Sequence, residues 1–322
     1  MSAADGPTLG EVDEFSIIDR LVAGRIPPSG VAVGPGDDAA VLTAPDGRMV
    51  VTTDMLVEGR HFRLDWSSPL EIGRKAFAQN AADIEAMGAR VTAVVVAIGA
   101  PATTAVGALT ELCDGLWQEA TIVGAGVIGG DLVASPQWVI SVTALGDLGG
   151  RKPVLRGGAR AGAVIAVTGD LGRSAAGYSL YSRGIAGFDD LKACHRVPRP
   201  PYGQGHDAAV HGAQAMTDVS DGLVADLGHL ASESSRFEPV EMELDPDLLS
   251  GDVAQLAAAA AAAGVDPWSL VLAGGEDHAL VGCFSAPPAG WRQIGVVRSG
   301  NRGVLLAGKP WTGARGWQSF MS

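Results

Sequence analysis

From residue 104 to 123 the apolar positions 106, 109, 112, 113, 116, 117, 120 and 123 recur every three or four residues, and Gly124 closes the run. That spacing gathers them on one face of a helix. A second helix is expected to follow Ser68, with Ser68 as N-cap, Pro69 in the first turn and Gly88 just past the end. Phe15, Ile17, Ile18 and Leu21 predict a shorter one, stopped by Gly24 and Pro27-Pro28. Further helices are expected from about 174, from 223 to about 232, and through the seven-alanine run 257–263 between Asp252 and Gly264. Short β-branched or apolar runs at 31–33, 39–42, 49–53, 91–98, 139–145, 163–168 and 280–284 read as strands. The run 49–53 should deliver Asp54 at its end, and Gly129-Gly130-Asp131 should end another short run. Helices and strands alternate without a strict βαβ rhythm, which predicts an α/β or α+β fold.

The chain has 322 residues, enough for two domains of roughly 150 each. The composition turns to Gly, Arg and Lys between 146 and 162, and a junction is expected there. This gives a loose tail over 1–12, one domain over 13–148 and another over 149–322. A polar, proline-rich connection is expected at 195–205.

Glycine is the compositional outlier, 45 residues without a G-X-Y period, so many tight turns and close backbone approaches are expected rather than collagen. The net charge of −13 argues against nucleic acid or an anionic membrane surface as partner. Three separated cysteines form no CxxC pair, which suits a reducing compartment and excludes a zinc-thiolate framework. The acidic start lacks an apolar h-region, and the greasiest stretch, 91–100, is half the length of a membrane span. A soluble cytoplasmic protein is expected.

Aspartates cluster where the chain is expected to turn. They are Asp37 and Asp38 in a glycine turn, Asp54 after Thr52-Thr53, Asp83 inside an alanine-rich helix, Asp131 after Gly129-Gly130, and Asp218 and Asp221 around Ser220. Aspartate is common in turns for structural reasons alone. Asp83 fits that bland reading worst, because a carboxylate among Ala81, Ala82 and Ile84 is costly to bury unpaired. Converging carboxylates need a cation between them, and oxygen-only donors select a hard ion such as Mg²⁺. Residues 124–130, GAGVIGG, match the dinucleotide fingerprint only in letters, since no helical pattern follows them. No P-loop, HRD or DFG motif occurs, and the six histidines show no catalytic spacing. His61 and Arg156 are ordinary surface residues or donors to an anionic group.

In order, GDDAA (36–40), TTDMLVEGRHF (52–62), NAADIEAMGA (80–89), GGD (129–131), TDVSDGL (217–223) and GGED (274–277) resemble the thiamine-monophosphate kinase family of the aminoimidazole ribonucleotide synthetase superfamily. The resemblance runs from about residue 14 to 317. It implies a two-domain fold whose N-terminal sheet pairs across a homodimer and whose C-terminal α/β domain covers it. Nucleotide and metals are then expected between the domains, near the dimer interface. It implies ATP-dependent phosphorylation of thiamine monophosphate with several Mg²⁺ ions. By the same resemblance Asp38, Thr52, Thr53, Asp54, Asp83, Asp131, Asp218 and Asp221 ligate magnesium directly or through water. Asp54, Asp83 and Asp131 are then central to metal-assisted catalysis, with no general base. Gly130, Asp131, Arg156 and Ser220 match ATP contacts, and His61, Glu276 and Trp317 match positions near thiamine monophosphate. The linker departs from the family's H-x-R-P-x-P-R pattern at His195-Arg196-Val197-Pro198-Arg199, and the helix 104–123 offers no adenine-stacking tyrosine. The alternatives are another ATP-using member of the superfamily, such as a selenophosphate or purine-pathway synthetase, and a non-catalytic nucleotide-binding scaffold.

Overall fold

The computed structural model describes residues 6–35, 39–314 and 316. They form two compact units, one up to Ile84 with Arg90–Gly150, the other Glu85–Ala89 with everything from Arg151 onward. The division therefore falls two residues later than the expected 148/149 boundary, and the short piece 85–89 groups with the second unit.

The first unit runs through α1 (Glu14–Val22), the hairpin β1 (Val31–Val33) and β2 (Val41–Leu42), β3 (Val50–Val57), α2 (Pro69–Ala86), β4 (Arg90–Ala100), α3 (Val106–Ile122), β5 (Val127–Ala134) and β6 (Val139–Asp147). Its sheet has the order β3-β6-β4-β5, with β4 and β5 parallel and the other pairs antiparallel. Residues 7–11, expected to be loose, are instead tethered. Leu9 and Gly10 donate to the carbonyls of Thr104 and Ala102, and Thr8 and Glu11 form a capping box. The second helix starts as expected, with Ser68 and Glu71 exchanging side-chain and backbone hydrogen bonds.

Two glycines set the distance between α2 and α3. A Cβ at Gly73 would overlap the Leu112 carbonyl oxygen, and one at Gly115 would overlap that of Leu70. Only hydrogen lets the helices approach this closely. Leu56, Val94, Val96, Ile98, Ile140, Val142 and Ala144 are buried on the sheet, and Ile72, Phe77 and Ile84 on α2. The sheet's other face is open, with Val51 59%, Met55 52%, Val95 37% and Val133 54% exposed.

The second unit comprises β7 (Val164–Thr168), α4 (Arg173–Ser182), α5 (Asp189–Arg196), α6 (Gln204–Val210), β8 (Ala215–Asp218), α7 (Leu223–Ser234), β9 (Val240–Leu244), α8 (Pro246–Ala263), α9 (Pro267–Ala273), β10 (Leu280–Phe284), β11 (Arg292–Ser299), β12 (Gly303–Leu306) and β13 (Lys309–Pro310). The strands form one mixed sheet in the order β13-β12-β9-β11-β7-β10-β8. Its central strands are buried on both faces. Ile165, Val167, Val281 and Cys283 enter one apolar cluster, and Ala166, Leu280, Phe284 and Trp291 enter another. The connection expected at 195–205 is shorter than its composition suggested. Helix α5 extends to Arg196, and α6 starts at Gln204 because the buried Glu85 carboxylate accepts from the amides of Gly203 (2.8 Å) and Gly205 (2.9 Å). That caps the orphan donors of a helix whose own sequence supplies no capping side chain.

Candidate functional site

Asp54 and Asp131 do not end their strands, as the sequence pattern suggested. They lie inside β3 and β5, because both strands run three residues further. Alternation along β3 then assigns its side chains to opposite faces. Thr52 and Asp54 share the face of the buried Leu56, towards α2, and Thr53 shares the open face with Val51 and Met55. On the helix side the Thr52 hydroxyl donates to Asp83 Oδ2 at 2.7 Å. On this edge strand the Asp54 amide donates to Asn80 Oδ1 at 3.0 Å, while Asn80 Nδ2 donates to the Ala76 carbonyl. Thr52, Asp54, Asn80 and Asp83 are thereby assembled into one oxygen-rich group. The cost of placing Asp83 in an alanine-rich helix is offset in part by the Thr52 hydroxyl.

Asp131 is not part of that group. Its register partners Ala97 and Ser141 place it in the row of Met55, on the open face at the opposite edge of the sheet. Thr53 shares that face, where its hydroxyl donates to the Val142 carbonyl and accepts from Thr143. Three strand spacings of about 4.8 Å and two residue rises of about 3.3 Å separate Thr53 from Asp131 by roughly 16 Å. One chain cannot bring both to a single ion. Asp131 Oδ1 accepts from the Leu132 amide, and a side chain at Gly130 would collide with the Val96 carbonyl, which explains the glycine before it.

In the second unit the loops after β8 and before β10 lie side by side. Backbone hydrogen bonds join Val219 N to Ala279 O (2.8 Å), His278 N to Val219 O (2.9 Å) and Glu276 N to Ser220 O (2.8 Å). Glu276 (φ 62°) and His278 (φ 53°) both occupy the left-handed region, a strained conformation for residues with a Cβ. The buried Asp218 carboxylate meets His278 Nδ1 at 3.1 Å. Asp221, Asp226 and His229 offer ligand atoms within 4.8 Å of one another. Asp226 Oδ2 also accepts from the amides of Asp221 (3.1 Å) and Gly222 (3.0 Å), holding the turn into α7.

Charge accumulates at this turn. Burial, then the Asp218 and Asp221 carboxylates, push Asp226 up to about 8. Burial followed by Asp218 also raises Asp221, opposed by His229, the exposed Arg156 and His278. Mutual repulsion among carboxylates, with only oxygen donors and one imidazole, is the electrostatic setting that a divalent cation relieves. Mg²⁺ fits this donor set better than zinc, which prefers thiolate and imidazole.

His61 follows the turn after β3. Its Nδ1 accepts from the Val57 amide at 3.0 Å, which fixes the neutral tautomer with hydrogen on Nε2. Its carbonyl accepts from the buried Lys75 ammonium. Asp38 and Trp317 lie outside the described residues.

The sequence reading did not single out Asp226, His229 or His278. The signal for the first two was present as i, i+3 spacing after Asp221-Gly222, on the face a helix turns back toward its own start. His278 carries no such signal, because its meeting with Asp218 depends on strand pairing across 60 residues.

Residues 36–148 match the family model described as AIR synthase related protein, N-terminal domain. A thiamine-monophosphate kinase of Mycobacterium tuberculosis is 60% identical over 319 residues, spanning 99% of this chain and 95% of that relative. The chain belongs to the thiamine-monophosphate kinase family. A solved thiamine-monophosphate kinase from Stenotrophomonas maltophilia K279a superimposes with a TM-score of 0.79 at 30% identity, covering 93% of this chain and 98% of that one. The structure of AaThiL complexed with AMPPCP and TMP gives 0.74 at 29% identity, covering 95% and 97%. These kinases and this chain thus share the arrangement of their elements.

Proposed function

We propose that this chain phosphorylates thiamine monophosphate from ATP, giving thiamine diphosphate and ADP. The observation that carries this is the 60% identity to a thiamine-monophosphate kinase over nearly the whole chain. The selenophosphate alternative needs a reactive thiol near the N-terminus. The first cysteine here is Cys113, a buried residue of α3 whose thiol burial pushes up to about 12. The scaffold alternative is disfavoured because Thr52, Asp54, Asp83, Asp131, Asp218 and Asp221 are all present.

In the transfer a phosphate oxygen of thiamine monophosphate forms a bond to the γ-phosphorus of ATP. The bond from that phosphorus to the bridging oxygen breaks, and its electron pair stays on ADP. The attacking oxygen is already anionic near neutral pH, so no residue has to remove a proton. The obstacle is repulsion between two polyanions. Mg²⁺, when bound, supplies the neutralising charge and aligns phosphate oxygens. Asp38, Thr52, Thr53, Asp54, Asp83, Asp131, Asp218 and Asp221 would hold the ions. The hydrogen bonds from Thr52 and to Asn80 keep Asp83 and β3 in place, so little reorganisation is needed on binding. Gly130, Ser220 and Arg156 would contact ATP, with Arg156 giving a positive charge beside the Asp221 turn. His61, through its Nε2 hydrogen, and Glu276 and Trp317 would receive thiamine monophosphate.

A homodimer is part of this reading. The open apolar face carrying Val51, Met55, Val95 and Val133 supports pairing with a second copy. The roughly 16 Å between Thr53 and Asp131 supports a site that draws these two residues from different protomers. ATP use, three buried free thiols and a net charge of −13 suit the cytoplasm.

The test is ADP release on adding thiamine monophosphate to enzyme, ATP and Mg²⁺. Release that depends on thiamine monophosphate supports the kinase; release that ignores it points to another superfamily activity, and no nucleotide binding at all to a scaffold.

A further inference from the structure

The side chain of Glu276 is held from a part of the fold that the aspartate motifs do not include. Its Oε2 lies 3.4 Å from His195 Nδ1 on α5, and the same nitrogen is 3.2 Å from the Ser174 hydroxyl on α4. His195 is only 6% exposed, and the rings of Tyr178 and Tyr181 pack against it at centroid distances of 5.5 and 6.3 Å. A close helix crossing delivers it there. A Cβ at Gly177 would overlap the Leu191 carbonyl and lie 2.9 Å from the His195 Cβ, so glycine lets α5 press against α4. The neighbouring Asp277 anchors the same loop, accepting from the amides of Gly172 (2.5 Å) and Ser174 (2.8 Å) at the start of α4. Both consecutive acids are thus tied to the α4–α5 pair. The Glu276 side chain nevertheless keeps 33% of its surface exposed, so a ligand can still reach it.

We propose that His195 is a positioning residue for thiamine monophosphate. Bridging Ser174 and Glu276, it fixes the Glu276 carboxylate in one orientation before the substrate arrives. A glutamate on a surface loop samples several rotamers and has to lose them on binding. One already oriented by a buried imidazole does not, and preorganisation of this kind improves affinity without adding a contact. The inference rests on the reading that Glu276 contacts thiamine monophosphate.

The experiment compares His195→Ala, His195→Asn, Glu276→Gln and the double variant His195→Ala/Glu276→Gln in the full-length enzyme. Asparagine can place an amide N–H near the imidazole Nδ1. Calorimetric Kd for thiamine monophosphate, KM for each substrate, kcat and melting temperature are measured. The expected result for His195→Ala is a roughly tenfold rise in Kd and KM for thiamine monophosphate. Its KM for ATP should stay within about twofold, His195→Asn should recover most of the loss, and alanine at 195 should add nothing once Glu276 is glutamine. The proposal is overturned by a folded His195→Ala with unchanged thiamine monophosphate binding, by equal losses for both substrates without rescue by asparagine, or by additive effects in the double variant. Should His195→Ala not fold, Ser174→Ala, which removes the hydroxyl beside His195 Nδ1, decides by the same Kd: a rise supports the proposal and an unchanged value overturns it. A Glu276→Gln variant that binds thiamine monophosphate like wild type would instead refute the contact on which the inference rests. Wild-type enzyme that binds thiamine monophosphate but releases no ADP would refute the kinase reading, and the Kd series would still judge His195.

Discussion

Gly115→Ala tests how the packing of α2 against α3 controls the Thr52–Asp54–Asp83 group. The added methyl would overlap the Leu70 carbonyl oxygen and sit 2.9 Å from its carbon and 3.0 Å from the Arg74 nitrogen, with no flexible side chain to yield. Carbon atoms pack comfortably at about 3.5–4.0 Å, so the helices must part by roughly 1 Å. Overpacking of this kind costs about 1–3 kcal/mol, and the better helix propensity of alanine returns about 1. The net loss of up to about 2 kcal/mol lowers the melting temperature by at most roughly 8 °C for a domain of this size. The larger consequence is at the site, because α2 carries Asn80 and Asp83. A shift of about 1 Å stretches the 2.7 Å Thr52–Asp83 hydrogen bond beyond reach, and such a misplacement costs about a hundredfold in kcat. Gly251→Ala is the control, since it lies within α8 with nothing near its Cβ position and should hold or raise the melting temperature. Thermal melts and steady-state kinetics read both effects. A Gly115→Ala enzyme that melts with wild type and keeps its kcat would refute the account of the close crossing and its link to the site.

Asp54→Asn and Asp131→Asn should each lose at least about a thousandfold in kcat with little change in melting temperature, because each removes a negative charge assigned to metal binding while keeping the size of the side chain; near-normal turnover at saturating Mg²⁺ in either would remove that residue from the site. Mixing the two inactive proteins under conditions of subunit exchange should restore about a quarter of wild-type activity if the dimer draws Asp131 from the partner copy, since half the dimers then carry one intact site. Activity that stays absent in confirmed hybrids would place the site within one chain. Asp226 has a pKa raised from 3.8 to about 8, so at pH 7 without divalent cation it is mostly protonated in the folded protein. Its contribution to stability is complete below pH 3.8 and is lost as pH rises through about 8. Mg²⁺ should flatten that slope and release a proton on binding, seen as heats that vary with buffer ionisation enthalpy, and equal heats in all buffers would contradict it.

Much of the element pattern was legible because helical periodicity and turn chemistry are local. Ser68, Pro69 and Gly88 bracket α2, and the run 280–284 is a strand over those same residues. Strand ends were less legible. Thr53-Asp54 and Gly130-Asp131 look like turn chemistry, yet the ladder to β6 and β4 carries both strands onward. The first turn of α6 was hidden because its cap is Glu85, more than a hundred residues away. At the site, each aspartate motif was visible as a word, but not its face. The separation of Thr52 and Asp54 from Thr53 and Asp131 follows from strand alternation, which acquires meaning only when the partner strands are known. His195 sat in a segment that looked like an irregular linker, and its meeting with Glu276 depends on the glycine-mediated crossing of α4 and α5.

The central claim is that these aspartates hold Mg²⁺ so that ATP can phosphorylate thiamine monophosphate. Incubating the enzyme with ATP labelled in the γ-phosphoryl group, thiamine monophosphate and Mg²⁺ should move the label into thiamine diphosphate, mole for mole with ADP. Chelating the metal, or omitting thiamine monophosphate, should stop ADP release. Label appearing as free phosphate, or transfer that persists under a strong chelator, would contradict the account.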